Sequence, residues 1–536
     1  MVLADQQALG RIPYVFALAL SGGSLLTYAL GALVSRFLQQ GEERTVRSFN
    51  LGLPSNTDIS GTFAISLVAA QSTLSTVFVA FLTDGGSYGI HLLYCPIAMA
   101  GGYWLMLRVY ERVSALGYID DSAMSGLIPD YMFKFTDNRF ITRLYTVLCF
   151  LPLLALLAAE LYFGIRLLDY LGDGAYRGVV SSQQFSQPTG PISLSILLFF
   201  VFMSLLLGYV FLGGFRAVIT SDIWQFRIMF ATYFLALAGV IPALIRERAT
   251  LQWRRPEIPH ASGASLFLFY VTITLLNCLQ PLSMATTWQR FRAFRVKNPD
   301  FRRSIKLAMI FIICLWVPLI LLGMGVSASP KDSIKEGFAF LNAVLRLSTW
   351  CSLFVFPLLI MAGFSGMYSC ADTCVSALLY LTESSEIEKG SDTGEIPLRR
   401  HHYWAMIAIV LGAAVMYAVV ENFNLKSEVL TIRIFGSAII CAPSLLLLAM
   451  KGPQRSNEMA RVRSRHVGAS IAVGYSLYAL LLAGGVHPGV GHNNIWALWA
   501  ALTTWALPVA LIGSAIPVAL LVWAESGTSR PNGDTA

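Results

Sequence analysis

Apolar residues in this chain come in long unbroken runs, and polar residues gather in the short intervals between them. Each run is roughly 20 to 25 residues, enough for a helix to cross a hydrocarbon core about 30 Å thick. The pattern predicts helices at 12–37, 58–83, 87–111, 138–172, 192–213, 216–246, 263–288, 302–326, 350–381, 402–421, 428–450, 466–486 and 494–523. In hydrocarbon every backbone N–H and C=O needs an internal partner, so only helices or closed barrels can span. Barrel strands alternate with period two, and these continuous runs do not. The fold class expected is therefore an all-α polytopic membrane protein of about thirteen transmembrane helices.

Composition strengthens this reading. Of 536 residues, 56% are hydrophobic and 13% charged, against roughly 25% charged in a soluble domain. The mean hydropathy is +0.64. A net charge of +8 could signal nucleic acid, but the basic residues sit in short loops between apolar runs. That is the positive-inside pattern of a membrane protein, and no nucleic-acid partner is expected. The densest cluster is Arg290, Arg292, Arg295, Lys297, Arg302, Arg303 and Lys306, followed by Lys451, Arg455, Arg461, Arg463 and Arg465. Both are placed in the cytoplasm, with the N-terminus outside and the C-terminus inside a cell (inner) membrane. Arg246, Arg248, Arg254 and Arg255 near an outer loop weaken the bias. The amphipathic segment 330–349 is expected at the outer surface, and 524–536 as a disordered tail. The first run is too long for a signal-peptide core and lacks a cleavage site, so it is read as a retained helix.

The eight cysteines fall in or beside apolar runs without CxxC or Cys/His spacing, and the seven histidines show no HExxH. Neither a disulfide framework nor zinc is indicated. No Walker loop, catalytic triad or haem motif appears, so no enzyme and no cofactor is expected.

Polar residues inside the runs are the candidates for chemistry. Ser66, Gln71, Ser72, Thr73, Ser75 and Thr76 lie in one of them. Such residues can let helices pack closely, or they can mark a broken helix whose carbonyls coordinate an ion. Gly366, Ser369, Cys370 and Thr373 share a helical face, with Asp372 beside it. An acidic residue in a spanning helix costs about 2.5–3.5 kcal/mol and is by default a site hypothesis; the hydroxyls could instead bond their own i−4 carbonyls. Asp222 follows a Gly-Gly turn and could serve the helix dipole. Glu160, Arg166 and Arg433 could snorkel or pair structurally, or face a solute. Asn277 and Gln280 precede Pro281 and could satisfy the backbone that it frees, or face a solute.

Five segments together resemble the sodium/solute symporter family, in family order over about residues 38–450. They are SLVAAQSTLSTVF, IPDYMFKFTDNRF, GGFRAVITSDIWQ, TTWQRFRAF and YSCADTCVSALLYL. The resemblance implies a LeuT-like core of two inverted five-helix repeats, here 58–246 and 263–450. Residues 1–57 would form an extra helix and a cytoplasmic loop, and 451–523 two C-terminal helices. It implies a main sodium site from the carbonyls of Ala70, Thr73 and Gly366 and the side chains of Ser369 and Cys370. Asp222, with Asp372 and Thr373, would match a second ion site. Gln71, Ser75, Glu160, Asn277, Gln280 and Arg433 would face the solute. Two positions depart from the family: Cys370 replaces Ser or Thr, and Glu160 stands where many members have Gln. A thiol is a poor ligand for a hard cation, and a carboxyl group adds a titratable group near the pathway.

What the resemblance implies is a cation-coupled symporter of a small organic solute working by alternating access, with Na+ as the coupling ion and H+ as the alternative. A solute sensor that keeps the transporter fold and signals through a partner is the competing class. The expected partners are a small-molecule solute, Na+ and the lipid bilayer. Arg433, if it faces the cavity, points to a carboxylate-bearing solute.

Overall fold

The computed structural model describes residues 11–24, 49, 51–53, 59–118, 127–177, 192–246, 263–295, 301–327, 338–387, 400–423, 434–451, 457–484 and 495–528. These residues are helical almost throughout, and no strand occurs among them. In order, the elements are α1 (Ile59–Gln71), a π-helical turn (Leu74–Phe78), α2 (Val79–Tyr88), α3 (Tyr94–Ala115), α4 (Ile128–Thr136) and α5 (Arg139–Arg177). Then follow α6 (Ile192–Arg246), α7 (Gly263–Ser283), α8 (Ala285–Arg295), α9 (Phe301–Ser327) and α10 (Ala339–Leu347). A second π-helical turn (Cys351–Val355) leads into α11 (Phe356–Ile387), and α12 (Arg400–Phe423), α13 (Ala442–Met450), α14 (Asn457–Gly484) and α15 (Ile495–Thr528) complete the series.

Among the described residues seven helical stretches are long and apolar enough to cross a membrane, or eight if the bent pair at 59–83 counts as one span. The protein is thus a polytopic α-helical membrane protein. Helices also form within the expected 263–288 and 466–486 runs, as α7 and α14. Of the first expected helix only 11–24 is described. Tyr14 in that piece packs edge-on against Tyr170 of α5 and Phe356 of α11.

The interior forms around α11, whose residues from Phe364 to Leu381 are buried almost without exception. It packs against α6, α5 and α1, while α9 covers α1, α2 and α3. Leu, Phe and Trp side chains on α3, α5, α6 and α12 point outward, as lipid-facing residues must. At the other end of the chain α14 and α15 form a pair.

The helices expected at 192–213 and 216–246 both form and are grouped here as α6; Gly214 (φ 58°, ψ −160°) is not helical and divides them where the sequence places the break. The kink lets the Phe49 carbonyl come so close that a Cβ on Gly214 would lie 2.6 Å from its oxygen. Several other boundaries differ from the sequence reading. The helix expected at 263–288 breaks at Met284, three residues after Pro281. The 428–450 helix bends at 440–441. Within segment 330–349, expected at the outer surface, the described helix α10 buries Phe340, Leu341 and Val344 against α9, α6 and α2. An apolar face of that size gains more from covering neighbours than from lying in headgroups.

Candidate ion and solute site

The helix begun at Ile59 stops at Gln71, and the chain turns through 67° before continuing from Leu74. Two hydroxyl-bearing residues explain the stop, because each offers the backbone a partner other than the helical one. The Ser72 hydroxyl donates to the Val68 carbonyl at 2.9 Å. Thr73 is extended (φ −72°, ψ 154°), and its Oγ1 accepts from the Thr76 N–H at 3.1 Å as an N-cap. The Phe78 N–H reaches back to the Thr73 carbonyl at 3.0 Å, which makes the next turn a π-turn.

A helix start leaves backbone donors unpaired. Here a carboxylate from another helix takes two of them. Glu160 on α5 accepts from Leu74 N–H at 2.8 Å and Ser75 N–H at 3.0 Å, and also from the Ser75 hydroxyl. Glu160 and Ser75 are both fully buried. Negative charge at a half-helix N-terminus is electrostatically favoured.

From the other side α11 presses on the break. A Cβ on Gly366 would lie 2.5 Å from the Ser72 carbonyl oxygen, so only glycine permits this contact. Trp316 of α9 donates its indole N–H to Ser72 Oγ at 3.1 Å. Beside the break, Gln280 of α7 donates its amide to Gln71 Oε1 at 2.8 Å. Asn277 bonds the Ile273 carbonyl in its own helix at 2.9 Å. Ala70, Gln71, Thr73, Gln280 and Cys370 are all buried. Cys370 and Cys374 on α11 are both buried free thiols.

A second polar knot surrounds Asp222, about two turns beyond the Gly214 kink in α6. Ser369 of α11 donates to its Oδ1 at 2.6 Å and Ser66 of α1 to its Oδ2 at 2.5 Å. Arg290 of α8 donates to Oδ2 at 2.8 Å, to Thr373 Oγ1 at 2.7 Å and, through Nε, to Ser66 Oγ at 2.8 Å. Asp222 and Arg290 both have essentially no exposure. Asp372 lies one step away and accepts from Ser221 at 2.8 Å.

Set against the sequence reading, the break occurs where the hydroxyl run placed it, and Gln71, Ser75, Glu160 and Gln280 meet around it. Ser369 and Asp222, assigned to separate ion sites by the resemblance, are joined by a hydrogen bond. Asp222 does not sit at a helix start as a dipole partner; it is an interior counter-ion. Arg290 and Arg292 are corrected most sharply. They were counted in a cytoplasmic loop, but both are buried on α8. Arg433 lies outside the described residues. Sequence reasoning missed Trp316 and the pairing role of Arg290. The aromatic neighbours Trp288, Phe291 and Phe294 were the available signal for the latter. Among the described residues no group of three or more His, Cys, Asp or Glu side chains could hold a transition metal; hydroxyl, carboxylate and carbonyl oxygens suit a hard cation instead.

No family model matches the chain. Over 324 residues it is 23% identical to the sodium/pantothenate symporter of Haemophilus influenzae, a match covering 58% of this chain and 60% of that protein. Over that stretch the chain is similar in sequence to a sodium-coupled symporter. Among solved structures, its fold matches that of a Na+-coupled sialic acid symporter with a TM-score of 0.54 at 12% identity, over 94% of this chain and 98% of that one. A mutant of the Eremococcus coleocola manganese transporter matches with the same TM-score, 0.54, at 12% identity, over 90% and 99%. Those two proteins carry an organic acid and a metal ion on one architecture. The fold alone therefore does not choose the cargo. The relative found by sequence matches over less than two thirds of its own length.

Proposed function

We propose that this chain is a secondary transporter of a small organic solute, coupled to a cation, with Na+ as the first candidate. The observation that carries this reading is the broken helix at Ser72–Thr73, pressed by Gly366 and bordered by buried polar side chains from α5, α7 and α11. Irregular backbone at membrane depth is tolerated only where it lines a cavity or is buried in protein, and discontinuous helices are where transporters bind solute and ion. In this reading Ala70, Thr73, Gly366, Ser369 and Cys370 hold the ion. Gln71, Ser75, Glu160, Asn277 and Gln280 face the solute. Residues 58–246 and 263–450 are the two inverted repeats, and alternating access is the rocking of one rigid bundle against a scaffold around the central site. An ion moving down about 100 mV and a tenfold gradient releases about 2.3 plus 1.4 kcal/mol, enough for accumulation of several hundredfold.

Proton coupling is the second reading, and Glu160 favours it, because a titratable group sits on the break itself. The test is uptake into proteoliposomes, with labelled pantothenate and sialic acid as first solutes and a sodium or a proton gradient imposed separately. Accumulation that collapses with the sodium gradient supports sodium symport, and dependence on the proton gradient alone supports the second reading. Specific binding without accumulation points to a sensor. The proposed orientation puts the α9 start inside the cell. A cysteine at exposed Lys306, in an otherwise cysteine-free variant, should then resist an impermeant reagent applied to intact cells.

A further inference from the structure

Of the described side chains that border the break, Glu160 alone is charged. Gln71, Ser72, Thr73, Ser75, Asn277 and Gln280 are its neutral, buried neighbours there. Both Glu160 oxygens accept a backbone N–H, Oε2 from Leu74 and Oε1 from Ser75, which is the arrangement of an ionised carboxylate. The N-terminus of the half-helix offsets roughly half of that charge. The described basic side chains do not supply the rest. Arg166, on the same helix, lies over the Tyr162 ring at 5.3 Å. Arg290 is bound to Asp222 and Arg463 to Glu525.

A solute entering here meets a resident anion. Its own carboxylate would find the leading donors of the half-helix already taken, by a group that repels it. An organic cation would find an acceptor with capacity to spare, since an ionised carboxylate has about four lone-pair sites and three donors hold this one. Little water screens the charge, because Glu160 has no exposure.

We propose that Glu160 selects the charge of the cargo: the solute carries an ammonium, guanidinium or similar organic cation that pairs with this carboxylate, and carboxylate-bearing solutes are refused. The inference rests on the proposed transport at the break and adds the class of cargo. The cation reaches Glu160 in an opened conformation of the alternating-access cycle. Pantothenate and sialic acid, both carboxylates, are then poor cargo for this chain.

The probe is radioactive guanidinium, which stays charged at any working pH and so does not cross lipid as a neutral base. It also pairs with carboxylates through two parallel hydrogen bonds. Equilibrium binding in potassium chloride is compared for purified wild type, Glu160→Gln and Glu160→Asp, with unlabelled methylammonium or acetate as competitor. Wild type should bind guanidinium and release it to methylammonium but not to acetate. Glu160→Gln should bind it about tenfold more weakly or worse, and Glu160→Asp, which keeps the charge, should retain the preference for cations. Uptake into proteoliposomes should favour guanidinium over labelled pantothenate and sialic acid.

Absence of guanidinium binding to wild type overturns the proposal, as does equal binding to wild type and Glu160→Gln. Displacement of guanidinium by sodium but not by methylammonium overturns it too, because the carboxylate then serves an inorganic ion. If Glu160→Gln fails to fold, wild type and Glu160→Asp decide by their preference between methylammonium and acetate. Accumulation of pantothenate or sialic acid would uphold transport and sink the cationic cargo. Guanidinium bound through Glu160 but accumulated under no imposed gradient would uphold the cationic ligand and sink transport, so the two readings fail separately.

Discussion

The Glu160 carboxylate accepts a 2.8 Å hydrogen bond from the backbone N–H of Leu74, the first residue of the half-helix beyond the break. The two residues are 86 positions apart, yet their relation is that of a helix cap. A cap is ordinarily supplied by the residue just before the helix. Thr73 fills that position and satisfies Thr76, so the donors of Leu74 and Ser75 turn to α5. The carboxylate thereby fixes where the half-helix starts and occupies the place where an anionic group of a solute would otherwise bind.

Replacing Glu160 by Gln keeps the shape but sets an NH2 group against a backbone N–H. Leaving one buried donor unpaired costs about 1–3 kcal/mol, so Glu160→Gln should unfold at a lower temperature. Glu160→Ala strands both donors, and formate should partly restore its stability by entering the vacated position. Thermal unfolding in choline formate against choline chloride reads this directly; equal curves in the two salts would make the cap incidental. If the carboxyl also carries the coupling proton, uptake by Glu160→Gln loses its pH dependence.

Two glycines on α11 give a graded test of how closely that helix must approach the break. A methyl group on Gly366 would meet the Ser72 carbonyl oxygen at 2.5 Å, a backbone atom with nowhere to go. On Gly363 it would meet Leu74 Cδ1 and Phe78 Cε1, both at 3.3 Å, the ends of side chains that can give. Overpacking costs typically about 1–3 kcal/mol. Gly366→Ala should therefore lose stability and its response to sodium, whereas Gly363→Ala should lose little of either. Equal effects in a parallel thermal-shift titration with sodium chloride would show that the contact is not selective.

The break was legible because its signal is local: consecutive Ser and Thr residues in an otherwise apolar run have their own backbone as the nearest partner. The pairing of Glu160 with Leu74 was not, since nothing in a sequence says which residue 86 positions away will arrive. Arg290 misled for a related reason. In a count of loop charges it is one of seven basic residues, and only three-dimensional packing brings Asp222, Ser66 and Thr373 around it. Segment 330–349 shows the same limit. Amphipathicity shows that one face seeks cover but not what covers it, and here the cover is protein.

At the membrane edge Glu525, just beyond the last apolar stretch, pairs with Arg463 at 2.9 Å and Lys451 at 3.0 Å. These contacts tie the end of α15 to α14 and to the residue after α13. Burial works to raise the Glu525 carboxyl, but the hydrogen bonds and charges of Arg463 and Lys451 outweigh it and hold it below the usual glutamate range. A group depressed on folding contributes stability that is present above its unfolded value, about 4.3. That contribution is lost as pH falls through the folded value. Wild type should thus lose thermal stability on acidification below about pH 4.3 more steeply than Glu525→Gln, which lacks the titrating group. Parallel acid-range melting curves for the two proteins would show that the triad does not tie folding to pH.

The ion site itself is tested at Ser369 and Cys370. Ser369 commits its proton to Asp222 at 2.6 Å, which leaves the lone pairs of its oxygen to serve a cation. Ser369→Ala removes that oxygen with little change in volume. The sodium concentration for half-maximal effect should rise tenfold or more, about 1.4 kcal/mol for each factor of ten. Cys370, buried one position along the helix, offers a soft sulfur where a hard cation prefers oxygen. Cys370→Thr should lower the sodium requirement, because it introduces an oxygen at nearly the same size. If both residues only fill space between helices, small side chains serve equally well; the substitutions would then alter expression or melting temperature alone. Sodium titrations of wild type and both variants, followed by thermal shift and by uptake, separate the two accounts. Opposite displacements of the two variant curves carry the site. Three superimposed curves would remove Ser369 and Cys370 from it and leave the break without side-chain ligands on α11.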